Sequence, residues 1–312
     1  MTGGQAHKHV PVLLDAVLEG LAVRADGFYV DGTFGRGGHS RALLDRLGPD
    51  GRLLAMDRDP EAAEAASSFL GDPRFAFESA PFSSMAEVLR QRFPDRGPDG
   101  VFLDLGVSSP QLDDAARGFS FQHDGPLDMR MDPTSGESAA DWLAHAEEKE
   151  IADVIYQYGE ERFSRRIARA IVRARADTLI TRTAQLADLV RGAVPRREPG
   201  KHPATRTFQA LRIHVNAELR ELETWLATIP EVLPAGARLV VIAFHSLEDR
   251  MVKRAFRGDR DDAPRIPRGL PVMAEAAPRP LRPLGKPVRA DAAEQQRNPR
   301  ARSAVLRVAE RN

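Results

Sequence analysis

Phe28-Tyr29-Val30-Asp31-Gly32-Thr33-Phe34-Gly35-Arg36-Gly37-Gly38-His39 is a short apolar, β-prone segment that runs directly into a glycine loop. A helical stretch, Ser40–Leu47, follows. Glycines let the backbone turn sharply and come close to a ligand, and a helix presents free N–H groups at its start. A second strand, Arg52–Asp57, ends on a carboxylate 19 residues after Gly38. That is near the spacing at which an acid receives the ribose hydroxyls of a nucleotide-type cofactor. The dinucleotide fingerprint is incomplete, because Ser40 stands where its third glycine would be. No Gly-Lys-Ser/Thr follows the glycines, which excludes a Walker phosphate loop.

Working outward, the alternation continues. An alanine-rich helix starts after Asp59-Pro60 and runs to about Leu70, Phe75–Phe77 is a third strand, Met85–Phe93 a helix and Val101–Leu105 a fourth strand. Strands alternating with helices predict an α/β fold: a doubly wound, mostly parallel, Rossmann-like sheet with helices on both faces. From Asp113 to His214 the pattern changes. A Gly/Pro-rich loop, Arg117–Gly136, gives way to helical periodicity, with Phe163, Ile167 and Ile171 four apart on one face. Val215, Leu219, Leu222, Leu226 and Ile229 predict a helix that stops before Pro230, and Arg238–Phe244 a strongly apolar strand. About Pro264–Pro299 reads as loop-like or partly disordered, and Ser303–Ala309 as a last strand. The expected organisation is a discontinuous α/β domain, 1–112 and 215–312, interrupted by a helical domain at 113–214.

The chain has no cysteine, which removes disulfides, thiolate metal sites, iron–sulfur clusters and cysteine nucleophiles. No ligand cluster points to a metal. No apolar run is long enough to span a membrane, and MTGGQAHKHV lacks the apolar segment of a signal peptide, so a cytoplasmic location is expected. Net charge is zero but unevenly spread. Residues 160–215 hold 13 Lys/Arg against 5 Asp/Glu, and residues 250–312 hold 16 against 7. Two basic regions on an acidic body point to a polyanion met by part of the surface. Arg165, Arg169 and Arg173 form one candidate RNA-binding face; Lys201, Arg206 and Arg212 form another.

The fourth strand ends Leu103-Asp104-Leu105-Gly106-Val107-Ser108-Ser109-Pro110. A carboxylate followed by a small, proline-containing loop suits a methyltransferase acting on an amino group, where cofactor and substrate meet. Asp104, Ser109 and Pro110 are the catalytic candidates. A nicotinamide-dependent oxidoreductase shares the loop and the Asp57 logic, but no Tyr-x-x-x-Lys pair is evident. A non-catalytic RNA-binding factor is the other competing class.

Longer stretches carry a specific resemblance. Among them are His9-Val10-Pro11-Val12-Leu13-Leu14, Met56-Asp57-Arg58-Asp59-Pro60, Gly125-Pro126-Leu127-Asp128-Met129-Arg130-Met131-Asp132, Lys201–Arg212 and Phe244-His245-Ser246-Leu247-Glu248-Asp249-Arg250. The chain resembles the bacterial 16S ribosomal RNA cytosine-N4-methyltransferase family. That resemblance implies a class I methyltransferase fold, an inserted RNA-recognition domain and S-adenosyl-L-methionine as cofactor. It implies methylation of the exocyclic N4 of a cytidine in the decoding region of 16S ribosomal RNA. It places the cofactor contacts on Gly37, Gly38, His39, Asp57, Phe82, Asp104 and Gln111. Phe119 and Phe121 are candidates to stack on the target cytosine, since Ser108-Ser109-Pro110 has no adjacent aromatic.

Overall fold

A computed structural model describes residues 11–195, 200, 202–258 and 279–312. Along the chain come α1 (Leu14–Leu21), β1 (Phe28–Asp31), α2 (Gly38–Leu44), β2 (Arg52–Asp57), α3 (Pro60–Ala66), β3 (Phe75–Ser79), α4 (Met85–Arg92) and β4 (Gly100–Asp104). A purely helical stretch follows: α5 (Ser109–Asp113), α6 (Ala139–His145), α7 (Glu148–Gly159), α8 (Ser164–Asp177), α9 (Thr183–Ala193), α10 (Thr205–Val215) and α11 (Glu218–Thr228). The last elements are β5 (Arg238–Ala243), α12 (Ser246–Arg257), β6 (Leu281–Val288), α13 (Ala292–Arg297) and β7 (Val305–Arg311).

The strands form a seven-stranded sheet in the order β3-β2-β1-β4-β5-β7-β6. The first five run parallel, and β7 runs antiparallel to both its neighbours. Both faces are covered, as the near-continuous apolar strands require. Tyr29, Leu53, Ala55, Phe102, Val240 and Ile242 point to one face, against Leu18 and Leu21 of α1 and Leu43 and Leu44 of α2. Their alternate neighbours Phe28, Val30, Leu54, Met56, Val101, Leu103 and Val241 point to the other, against Met85 and Leu89 of α4, Trp225 of α11 and Phe256 of α12. This is the doubly wound, Rossmann-like α/β architecture.

Two expectations change. The stretch 264–299 is not wholly loop: Leu281–Val288 is a strand and Ala292–Arg297 a helix, while 264–278 lies outside the described residues. Pro283 and Pro287 disguise β6 in the sequence. An edge strand tolerates them because one row of its N–H groups has no partner; Gly285, at φ +63°, sits where the register with β7 shifts. The second change is at Val215, which ends α10 rather than beginning the next helix. The chain breaks at Ala217, whose φ is +51°, and restarts at Glu218.

By packing, the chain divides into two compact units: the residues up to Gly106 with those from Arg220 onward, and Val107–Leu219. The second unit has its own core, with Trp142, Ile151, Ile155, Ile167, Ile171, Leu186, Val190, Phe208 and Leu211 buried together. Asn216 braces it. Its Nδ2 donates to the carbonyl of Met129 (2.7 Å) and its Oδ1 accepts from the N–H of Met131 (2.7 Å), fixing Met129 at φ +65°. Among the described residues no helix is long and apolar enough to cross a membrane.

Candidate active site

The parallel strands of the first unit carry a carboxylate at three of their C-terminal ends: Asp31 on β1, Asp57 on β2 and Asp104 on β4. Open α/β sheets bind ligands at such ends. The glycine loop between β1 and α2 is held from both sides. The N–H of Gly32 donates to Phe102 on β4 (2.9 Å), and that of Phe34 to Met56 on β2 (3.0 Å). Gly35 and Gly37 both adopt positive φ, +54° and +76°.

Asp57 ties this loop to β2. Its Oδ2 accepts the N–H of Gly35 (2.8 Å) and its Oδ1 that of Asp59 (2.9 Å). Burial pushes its carboxyl above the usual range. The backbone N–H of Arg58 also bonds to it; a carboxylate has about four lone-pair directions, so acceptor capacity is left for a hydroxyl group. Phe82 lies just past β3, half-buried, with its Cβ beside Gly32.

Asp31 is buried beneath the loop. Its Oδ2 accepts from Ser40 Oγ (2.7 Å) and its Oδ1 from the N–H of Thr33 (3.1 Å). Desolvation pushes its carboxyl up to about 6. Thr33 Oγ1 in turn accepts the backbone N–H of Asp104 (2.7 Å), which joins β1 to β4 through side chains. Sequence reasoning did not single out Asp31, Thr33 or Ser40; the signal present was the acid heading the glycine motif.

At Asp104 one oxygen, Oδ1, is buried with no hydrogen-bond partner. The side chain as a whole keeps 25% of its surface open. Its surroundings are dense enough for desolvation to dominate, with the charges of Asp31 and Glu248 adding to it, so the carboxyl is held well above its ordinary value. His39 faces it. The imidazole Nε2 lies 3.0 Å from the carbonyl oxygen of Val12, which only accepts, so Nε2 carries a proton. Nδ1 then points at Asp104 Oδ2, 3.9 Å away. Just past β5, His245 caps α12 and Glu248 accepts the N–H of His245 (3.3 Å) in a reciprocal capping box, and that of Phe244 (2.9 Å) as well. Glu248 is a second contributor that the sequence reading did not pick out.

The sequence pattern of the MraW methylase family matches residues 6–312. The chain belongs to the MraW methylase family. It is therefore a methyltransferase. Two relatives carry the name Ribosomal RNA small subunit methyltransferase H. That of Thioalkalivibrio sulfidiphilus (strain HL-EbGR7) is 60% identical, covering 100% of this chain and 99% of its own. That of Chromohalobacter salexigens is 57% identical, covering 98% and 92%. A solved structure of an rRNA methylase from Streptococcus thermophilus is 11% identical, with a TM-score of 0.42 over 97% of this chain and 98% of its own.

The remaining candidates of this methylase lie in the Val107–Leu219 unit. Ser109 and Pro110 open α5, and Ser108 and Gln111 cap it reciprocally: Gln111 Oε1 accepts the N–H of Ser108 at 2.8 Å. Phe119 is a core residue. Phe121 is half-buried, stacked on His202 at 4.4 Å and edge-on to Phe208. The arginines differ. Arg165, Arg169 and Arg173 stand exposed on α8. Arg206 Nη1 donates to the carbonyl of Glu160 (3.0 Å). Arg212 is drawn inward into a two-point ion pair with Glu218, at 2.7 and 2.8 Å, with only 15% and 9% of the two side chains exposed. That pairing explains its conformation without an external phosphate. Lys201 lies outside the described residues.

Proposed function

We propose that this methylase transfers a methyl group from S-adenosyl-L-methionine to the exocyclic N4 of a cytidine in the decoding region of 16S ribosomal RNA, in the cytoplasm. Full-length relatives named as small-subunit ribosomal RNA methyltransferases support the substrate. The observation that carries the chemistry is the buried, unpartnered Oδ1 of Asp104 beside the glycine loop. The chain's residues fit the cofactor. The loop at Gly37, Gly38 and His39 offers a close backbone approach, Asp57 has acceptor capacity left for a ribose, Phe82 offers an apolar face and Asp104 an open acceptor; the family resemblance would add Gln111.

When bound, the cofactor supplies an electrophilic methyl on a sulfonium. The protein has the harder task of readying a poor nucleophile, because the lone pair of cytosine N4 is delocalised into the ring. Asp104 and the carbonyls of the Leu105–Pro110 loop, with Ser109 and Pro110, would accept N4–H and so favour a pyramidal nitrogen. In its ionised form a carboxyl whose proton affinity is raised by burial is a stronger base, and so better placed to take the leaving proton. The inserted helical unit would hold the RNA, with Arg165, Arg169, Arg173, Lys201 and Arg206 on phosphates; Arg212 would serve by bracing α10.

Transfer of labelled methyl to 30S particles, followed by nucleoside analysis, reports activity and atom together. Asp104→Ala should lower transfer by about 100-fold or more while the melting curve stays within a few degrees of the parent. Retained activity would remove Asp104 from the mechanism, and label on any position other than N4 of cytidine would sink the substrate reading.

A further inference from the structure

One cavity on the helical unit is lined by none of the residues assigned above to catalysis or cofactor. It is a groove of about 960 Å³ between α8 and α9. Arg166, Arg169 and Arg173 form one wall. On a helix these positions fall within about 60° of one another, whereas Arg165 sits about 100° round from Arg166 and faces aside. Arg165 lies about 40° from Arg169 but is not among the residues that line the groove, so the wall uses Arg166 in its place.

Two features mark the wall as prepared for an anion. Arg169 has a loose ion pair with Glu148 at 3.6 Å, but among the described residues no carboxylate pairs with Arg166 or Arg173. The acid on the opposite wall, Asp188, is already matched by Arg191 at 2.8 Å. Three cations with so little internal compensation on one wall repel one another unless an anion joins them. The floor is of another character. Ala170, Ala174 and Gly192 are small, and a Cβ added at Gly192 would meet nothing within 4 Å, so the groove is open to its base. Leu179, at its end, is 56% exposed.

We infer that this groove binds a single-stranded segment of RNA, its phosphates on Arg166, Arg169 and Arg173 and a base resting on the apolar floor at Leu179. The inference rests on the reading that the substrate is ribosomal RNA. Charge decides for nucleic acid: the wall is cationic and the surrounding segment 160–215 carries 13 Lys/Arg against 5 Asp/Glu. Shape decides for an unpaired strand. A duplex would meet only the arginine rim and leave the floor unfilled, whereas a splayed strand offers phosphate and base face at once. Arg166 and Arg173 are two turns apart, about 10.5 Å along the helix, a span of about three phosphates at single-strand stacking distance.

The test uses the full chain and a fluorescent single-stranded RNA oligonucleotide of decoding-region sequence, with anisotropy read across a salt series. R166A/R173A should bind about tenfold more weakly or worse, with the slope of log affinity on log salt shallower by about 1.4, two lost contacts at about 0.7 each. R166K/R173K should recover the slope, because lysine keeps the point charge. Leu179→Ser should weaken binding with the slope unchanged. The charge-matched control R90A/R92A, which removes exposed pairs with Glu231 and Glu78 on the other unit, should bind as the parent does. Unchanged affinity and slope in R166A/R173A, or an equal loss in the control, overturns the inference. So does normal oligonucleotide binding with lost retention on 30S particles, which would give the groove to a ribosomal protein. Should the parent fail to methylate 30S particles, the functional reading falls, while the oligonucleotide arm still decides the groove.

Discussion

At Gly37 the backbone takes φ +76°, and a Cβ there would stand 2.5 Å from the ring of Phe69 and 2.7 Å from that of Phe34. The glycine is thus required by conformation and by packing, before any ligand arrives. Gly37→Ala combines a left-handed penalty of about 1–2 kcal/mol with displacement of two core rings. Urea unfolding should show a loss of at least about 2 kcal/mol, and calorimetry a weaker affinity for S-adenosylhomocysteine. A variant as stable as the parent would show that Phe34 and Phe69 move aside freely. Asp31 makes a pH prediction. Burial raises its carboxyl from 3.8 to about 6, so folding favours the protonated form. Its contribution to stability is complete below the unfolded value and is lost as pH rises through about 6, on the order of 3 kcal/mol across the window. Asp31→Asn cannot ionise. It keeps one acceptor for the N–H of Thr33 but puts an amide donor where Oδ2 accepts the Ser40 hydroxyl, which must turn to accept in its place, so it starts less stable at pH 4. The deficit should narrow toward pH 7. A difference independent of pH would remove the buried ionisation from the account.

Elements were legible where period and punctuation agreed. The Phe28–Val30 strand, the glycine turn and the two acids at Asp57 and Asp104 were readable because strand ends and glycines are local signals. Ile167 and Ile171 were readable because a helical face repeats. What was hidden depends on distant partners. The β6 strand, with Pro283 and Pro287, exists because β7 offers it an edge. The Asp31–Thr33–Asp104 network exists because β1 and β4 are neighbours although Thr33 and Asp104 are 71 residues apart in sequence, and the loss of Arg212 to Glu218 shows only once the chain turns after α10. That turn is itself testable. Val215 and Leu219 match one helical period, yet Ala217 breaks the helix in the left-handed region at φ +51°. Ala217→Gly should stabilise by roughly 0.5–1 kcal/mol, since glycine enters this region without the Cβ penalty, and Ala217→Val should destabilise by at least as much. Denaturation midpoints check both. A midpoint lowered by glycine would mean that the entropy it adds to the unfolded chain outweighs the relieved strain.

The two units have different relations to the chain. Val107–Leu219 is one continuous segment with its own buried core, while the sheet is split around it. Strand β4 is made before that segment, and its partner β5 after it, so the pairing of Val101 with Leu239 closes a loop that contains the whole helical unit. Loop closure of that kind slows folding, whereas contacts between neighbouring helices form locally and early. The helical unit should therefore fold first. It should also fold alone: at 113 residues it is within the usual domain range, and Trp142, Ile155, Ile167, Ile171, Leu186 and Leu211 already bury one another. Expressed as residues 107–219, it should melt cooperatively by far-ultraviolet circular dichroism. It should also bind single-stranded RNA with a salt dependence, because the arginine-walled groove lies wholly within it. A gradual, non-cooperative melt would mean that its core depends on the sheet unit. A cooperative melt without RNA binding would separate the two properties, leaving the folding argument standing and placing the RNA affinity of the whole molecule elsewhere.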